Sequence, residues 1–167
     1  MNKVLIAVFE SEHKARTALA ALEALADADT IRLNASAVVS KSAGGAMTVS
    51  RTVEPMPEGA LGATAVGMLI GMLAGGVGLA VGATTGLIVG SLADSFYLHV
   101  GRGFLADVER TLEPGKAALV AQVWEEDTAA VDRKMAEIGG VVFRQPIDDV
   151  ADGQYETAIS SIRRRLE

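Results

Sequence analysis

Cysteine is absent, aromatic residues make up 4% of the chain, and no charged residue occurs between Gly59 and Ala93. The first absence excludes disulfides, thiolate metal sites and thiol catalysis, and it suits a reducing compartment. The second means that the hydrophobic half of the chain is built from Ala, Val, Leu and other non-aromatic residues. Such a chain packs through small side chains and close backbones rather than large ring anchors. Basic residues are outnumbered, 15 against 21 acidic, for a net charge of -6. That balance argues against a nucleic-acid partner, because phosphate contacts need clustered Lys and Arg.

What is present reads as one domain of 167 residues with alternating secondary structure. "KVLIAVF" (3–9) is a continuous apolar run, the pattern of a strand covered on both faces. It is short, is followed at once by Glu10 and has no cleavage pattern, so it is not a signal peptide, and the charged part is expected in the cytoplasm. Ser11 is a helix cap with Glu12 in the first turn, and Ala15, Ala18, Leu19, Leu22 and Leu25 form one stripe to about Ala28. Ile31, Leu33, Ala35, Ala37 and Val39 alternate with polar residues, which predicts a half-buried strand. "SAGG" (42–45) then turns the chain into "AMTVSRTV" (46–53), a hairpin partner.

Beyond the uncharged stretch, "GRG" (101–103) reads as a break. Phe104, Leu105, Val108 and Leu112 predict a short amphipathic helix stopped by "EPG" (113–115). "AALVAQVW" (117–124) is a strand. Val131, Met135 and Ile138 mark a helix ending at Gly139-Gly140, and "VVFRQPI" (141–147) is a strand that Pro146 pushes toward an edge. Tyr155, Ile159, Ile162 and Leu166 predict a terminal amphipathic helix. The first six of these elements run β-α-β-β-α-β, the order of a ferredoxin-like sandwich. The fold expected is therefore α+β: residues 1–57 and 101–148 form the body, 58–100 an insert, and 149–167 the terminal helix of a C-terminal α-β-α extension.

The insert has its own logic. Gly59, Ala63, Gly67, Gly71 and Gly75 are spaced by four, and so are Gly78, Gly82, Gly86 and Gly90. A helix puts such residues on one face, a groove that admits another backbone. Glycine inside a helix costs up to about 1 kcal/mol relative to alanine, so the stripes imply a packed neighbour. "GGVG" (75–78) reads as the turn of an antiparallel glycine-zipper hairpin. The rival is one continuous helix of roughly 50 Å, which closes the body only by domain swapping. The contact residues expected are Gly67, Gly71, Gly75, Gly78, Gly82, Gly86 and Gly90. Hydropathy leaves two settings open. Each half is slightly short for a bilayer core of about 30 Å, so the hairpin either inserts in the inner membrane, with lipid as partner, or joins subunits in a soluble homo-oligomer.

The blocks "VLIAVF", "ASAVVSKSAGGAMTVSRTV", "GALGATAVGMLIGMLAGGVGLAVGATTGLIVGSLAD" and "FLADVERTLEPGKAALVAQV" together resemble a bacterial family known as domain of unknown function 1269. Its members are often labelled membrane proteins by hydropathy. The resemblance runs over about residues 3 to 147 and implies a ferredoxin-like body with a glycine-zipper insert. It carries no catalytic residues to transfer. "SFYLHVGRG" and the arginine-ended tail depart from the family pattern.

Chemistry is sparse. His13 falls on the solvent face of the first helix. His99 stands near Tyr97 without a second ligand at a suitable spacing. "EED" (125–127) is read as capping and dipole compensation before a helix rather than a cation site. No P-loop, dinucleotide fingerprint or triad is present. Arg163, Arg164 and Arg165 could meet an anionic lipid or partner, against a plain solvated face. The reading is a non-enzymatic, self-associating protein without cofactor. The alternative is a small-ligand binder on the open sheet face, with Tyr97, His99 and Trp124 around the pocket.

Overall fold

The computed structural model describes residues 2–53, 65–73 and 102–146. In chain order the elements are β1 (Asn2–Phe9), α1 (Glu12–Asp27), β2 (Arg32–Lys41), β3 (Met47–Val53), α2 (Ala65–Leu73), α3 (Arg102–Thr111), β4 (Ala117–Trp124), α4 (Ala129–Ile138) and β5 (Val141–Pro146). The architecture is α+β. Among the described residues the strands form one antiparallel sheet in the order β3-β2-β4-β1-β5. Because β1 and β2 are both antiparallel to β4, they run parallel to each other with β4 between them.

Local signals work as the residue pattern predicts. The Ser11 hydroxyl accepts from the Lys14 N–H at 3.3 Å and opens α1. His13 is exposed on α1. At the end of α4, Gly139 takes φ 85°, its N–H bonding to Ala136 O, while Gly140 N–H bonds to Met135 O. This paired closure is a Schellman stop, which a Cβ at Gly139 would strain. Gly140 has a second constraint: a Cβ there would lie 2.4 Å from the Phe9 ring. One departure is small. α3 begins at Arg102, so Arg102 and Gly103 stand in its first turn instead of a break.

The sheet is covered on both faces, and that changes the reading of β2. On one face α1 and α4 pack Ala15, Ala18, Leu19, Leu22, Val131 and Met135 against Leu5, Ala7, Phe9, Val38, Leu119 and Val123. On the other, α2 and α3 pack Val66, Leu69, Ile70, Leu73, Leu105, Val108 and Leu112 against Val4, Ile6, Ala35, Ala37, Val39 and Val120. Alternation in β2 predicted burial on one side. Instead Ala35 through Val39 are all buried, Ser36 and Val38 included, because helices lie over both surfaces. A bulge between Leu33 and Ala35 also breaks the simple alternation.

Strand order supplies a second difference. The expected body took residues 46–53 as its third strand and 117–124 as its fourth. In the sheet β3 is an outer strand beside β2, and β4 occupies the centre between β2 and β1. β4 earns that place by composition: it is buried from Ala117 to Ala121 and again at Val123. β3 carries Thr48, Ser50 and an exposed Val49, which suit an edge. β5 is the other edge among the described residues, as Pro146 implies.

Candidate functional site: a two-sided helix and a buried charged cluster

Helix α2 is the described part of the uncharged stretch. Its sequence, AVGMLIGML, contains no charged or polar side chain. Val66, Leu69, Ile70 and Leu73 recur at three and four residues, the spacing of one helix face. They are 0 to 9% exposed. That face lies over β2 and β4, where Ala35, Ala37 and Ala118 leave shallow seats between Val39 and Val120. Large residues on the helix and small ones on the sheet interlock, as close packing requires.

Gly67 and Gly71 stand four apart and so share a different face from that sheet-packed quartet. Gly71 is partly exposed, and a Cβ built on it meets nothing within 4 Å. No backbone of the described chain uses that groove. The remaining predicted contact glycines (Gly75, Gly78, Gly82, Gly86 and Gly90) lie outside the described residues, as do the hairpin turn, Tyr97, His99 and Arg163, Arg164 and Arg165. Among the described residues no helix is long and apolar enough to cross a membrane.

Trp124 is the one residue of the expected pocket that lies among the described residues. It ends β4 half-buried, with the Arg32 guanidinium 5.3 Å from its ring centroid, a cation–π contact. The sheet face that the pocket needed open carries α2 and α3 instead. Trp124 shares that face with Val120 by strand alternation.

A charged cluster on the α1 and α4 side was not anticipated. Glu125, the first residue of "EED", is 1% exposed. Its Oε1 accepts from Arg144 Nε at 2.7 Å and from Lys3 Nζ at 3.2 Å. Arg144 Nη1 donates to Asp132 Oδ1 at 2.5 Å, bridging β5 to α4. Asp127 differs in role: its Oδ1 accepts the Ala129 N–H at 2.9 Å, two residues on, an Asx turn leading into α4. A lone arginine inside "VVFRQP" and a lysine opening an apolar strand were the available signals. Neither says which carboxylate it meets, since the residues are far apart in sequence.

Elsewhere two groups are shifted by neighbouring opposite charges. Glu12 is held below the usual carboxylate range, chiefly by the hydrogen bond from Arg16. Lys116 is pushed above the ordinary lysine value by the Glu113 carboxylate, against some desolvation and with help from Glu10. Among the described residues no group of His, Asp and Glu could hold a metal ion.

A family model described as "Protein of unknown function (DUF1269)" matches residues 59–160. The match opens at the uncharged stretch and continues through α3, β4, α4 and β5, more than half of the chain. No curated protein and no solved structure matches.

Proposed function

Because the chain belongs to the DUF1269 family, whose description names no activity, its role has to be read from its packing, and we propose that it is a non-enzymatic protein that self-associates through the glycine face of its uncharged insert. One observation carries this: α2 commits its bulky face to the protein's own sheet and leaves the Gly71 face without a neighbour among the described residues. A helix with no polar side chain on any face is stable where both sides are packed. The partner that fits a side-chain-free groove is a second helix with the same groove.

The same packing favours association between subunits over insertion of α2 in a bilayer. Lifting α2 into lipid would bare Val39 and Val120 together with the alanines beside them, costing several kcal/mol, with about 1.5–3 for each valine. As described, α2 is nine residues, about 13 Å, against a hydrocarbon core of about 30 Å. We read the body around it as ferredoxin-like, with the strands shifted from first expectation. β1, α1, β2, β4, α4 and β5 make the βαββαβ unit, and β3, α2 and α3 belong to the inserted length.

Paired substitutions at one position test the reading. Gly71→Ala adds a methyl that meets none of the described residues, so in dilute protein the helix gains up to about 1 kcal/mol and the thermal midpoint rises. Gly71→Leu fills the groove, so the sedimenting species becomes smaller while the circular dichroism spectrum is unchanged. Unaltered sedimentation of Gly71→Leu, without detergent and in detergent, sinks the proposal. Loss from the membrane pellet alone, with soluble mass unchanged, would shift the role of the groove to lipid insertion.

A further inference from the structure

β5 is the least buried strand of the sheet outside β3. None of its six residues is fully buried, whereas Val4 to Phe9 of its neighbour β1 are 0 to 3% exposed. Besides the backbone ladder, Arg144 supplies the side-chain hydrogen bonds described for β5. It pairs in register with Leu5 and reaches Glu125 and Asp132 together. The fit is incomplete: Arg144 Nη2 is shielded from solvent and has no acceptor among the described residues. The joint to α4 is the two-glycine turn at Gly139 and Gly140, the residue pair best able to change direction.

The slot beside β1 therefore makes two demands on any strand that fills it. Apolar side chains must meet Ile6 and Ala7, as Phe143 and Val142 do. A guanidinium must also stand opposite Leu5, where it reaches the buried carboxylate of Glu125. A generic edge strand meets the first demand and fails the second, leaving Glu125 without the Arg144 guanidinium, at a cost typical of broken buried pairs.

We propose that β5 is an exchangeable strand: it leaves β1 as a unit, and the β5 of a second copy of this chain takes its place, the incoming Arg144 remaking the contacts to Glu125 and Asp132. The occupant is a second copy because this chain's own β5 satisfies both demands at one register. Exchange of an identical element needs no new surface and joins two protomers reciprocally. It is carried by a different part of the molecule from the glycine face and stands whether or not that face associates.

The absence of cysteine makes the test clean. Ala7 and Val142 face each other across β1 and β5, so Ala7→Cys with Val142→Cys gives a disulfide within one chain if β5 stays home. It gives a covalent dimer if β5 has exchanged. The full-length double variant is incubated reduced at rising concentration, oxidised, and run on a non-reducing gel. The expected result is a dimer fraction that grows with concentration. Adding Glu125→Gln loosens the latch and is expected to speed dimer appearance about tenfold or more. Bridged monomer alone, at every concentration and in both backgrounds, overturns the proposal. Should the cysteine variant fail to fold, amide exchange of the unmodified protein decides: β5 amides at least about tenfold faster than those of β4 support release as a unit, and equal rates overturn it. Gly71→Leu, placed in the cysteine background, leaves the cross-link yield unchanged, so loss of the glycine contact and loss of strand exchange are read separately.

Discussion

Both faces of the sheet are covered by helices, but α2 differs in character from α1 and α4 across the sheet and from α3, its charged neighbour on the same face. α1 and α4 are ordinary amphipathic helices. Their inner residues are buried, their outer faces carry Glu12, Arg16, Arg133 and Lys134, and their ends close on Ser11 and Gly139. α2 on the other face also has a buried inner stripe but no charged residue anywhere. The difference teaches that burial on the sheet does not account for the composition of α2. A helix that needed only the sheet would keep a polar back, as α1 does.

The largest expected effect tests whether the two covers are equal parts of the body. Leu22→Ala under α1 and Leu69→Ala under α2 both remove side chains that are 0% exposed. Each should lose about 2–5 kcal/mol in denaturant unfolding, with one cooperative transition. A loss below about 1 kcal/mol at Leu69 alone would make α2 an appendage and break the symmetry. Next in size is Gly140→Ala on the α1 and α4 side. Its methyl meets the Phe9 ring, so a loss of about 1–3 kcal/mol is expected, and Phe9→Leu in the same chain should restore part of it. Set beside the open space at Gly71, this gives glycines of opposite sign in one protein.

The smallest effect concerns the charged back that α2 lacks. Arg16 holds the Glu12 carboxyl below its usual range. A depressed folded value means that this contribution is present above the unfolded value and fades as pH falls through the folded one. Both groups are on the surface, so the change in stability is slight. It is visible by NMR titration, where Arg16→Met should return Glu12 toward its ordinary value. No movement would show that the ion pair is not formed in solution.

Much of the fold was legible because its signals are local. The stripe from Ala15 to Leu22, the cap at Ser11, the stop at Gly139 and the run from Val4 to Phe9 each lie within a few residues of what they specify. The site was legible in half. Spacing placed Gly67 and Gly71 on one face, but it said nothing of the quartet on the other side of α2 being committed to β2 and β4. The cluster of Lys3, Glu125, Asp132 and Arg144 was missed because its members meet only when β1, β4, α4 and β5 are side by side. The open sheet face expected beside Trp124 was illegible for a related reason: its cover, α2 and α3, comes from other parts of the chain.

Residue order alone determined which segments become helix or strand and which faces are apolar, since periodicity and capping act through neighbours one to four positions away. The tertiary structure decided where each strand sits, that both surfaces of the sheet are covered, and that a glutamate before α4 is buried against an arginine on the last described strand. Those outcomes depend on burying the most apolar strands, β1 and β4, at the centre. That is a competition among all the strands at once, which no stretch of sequence expresses by itself.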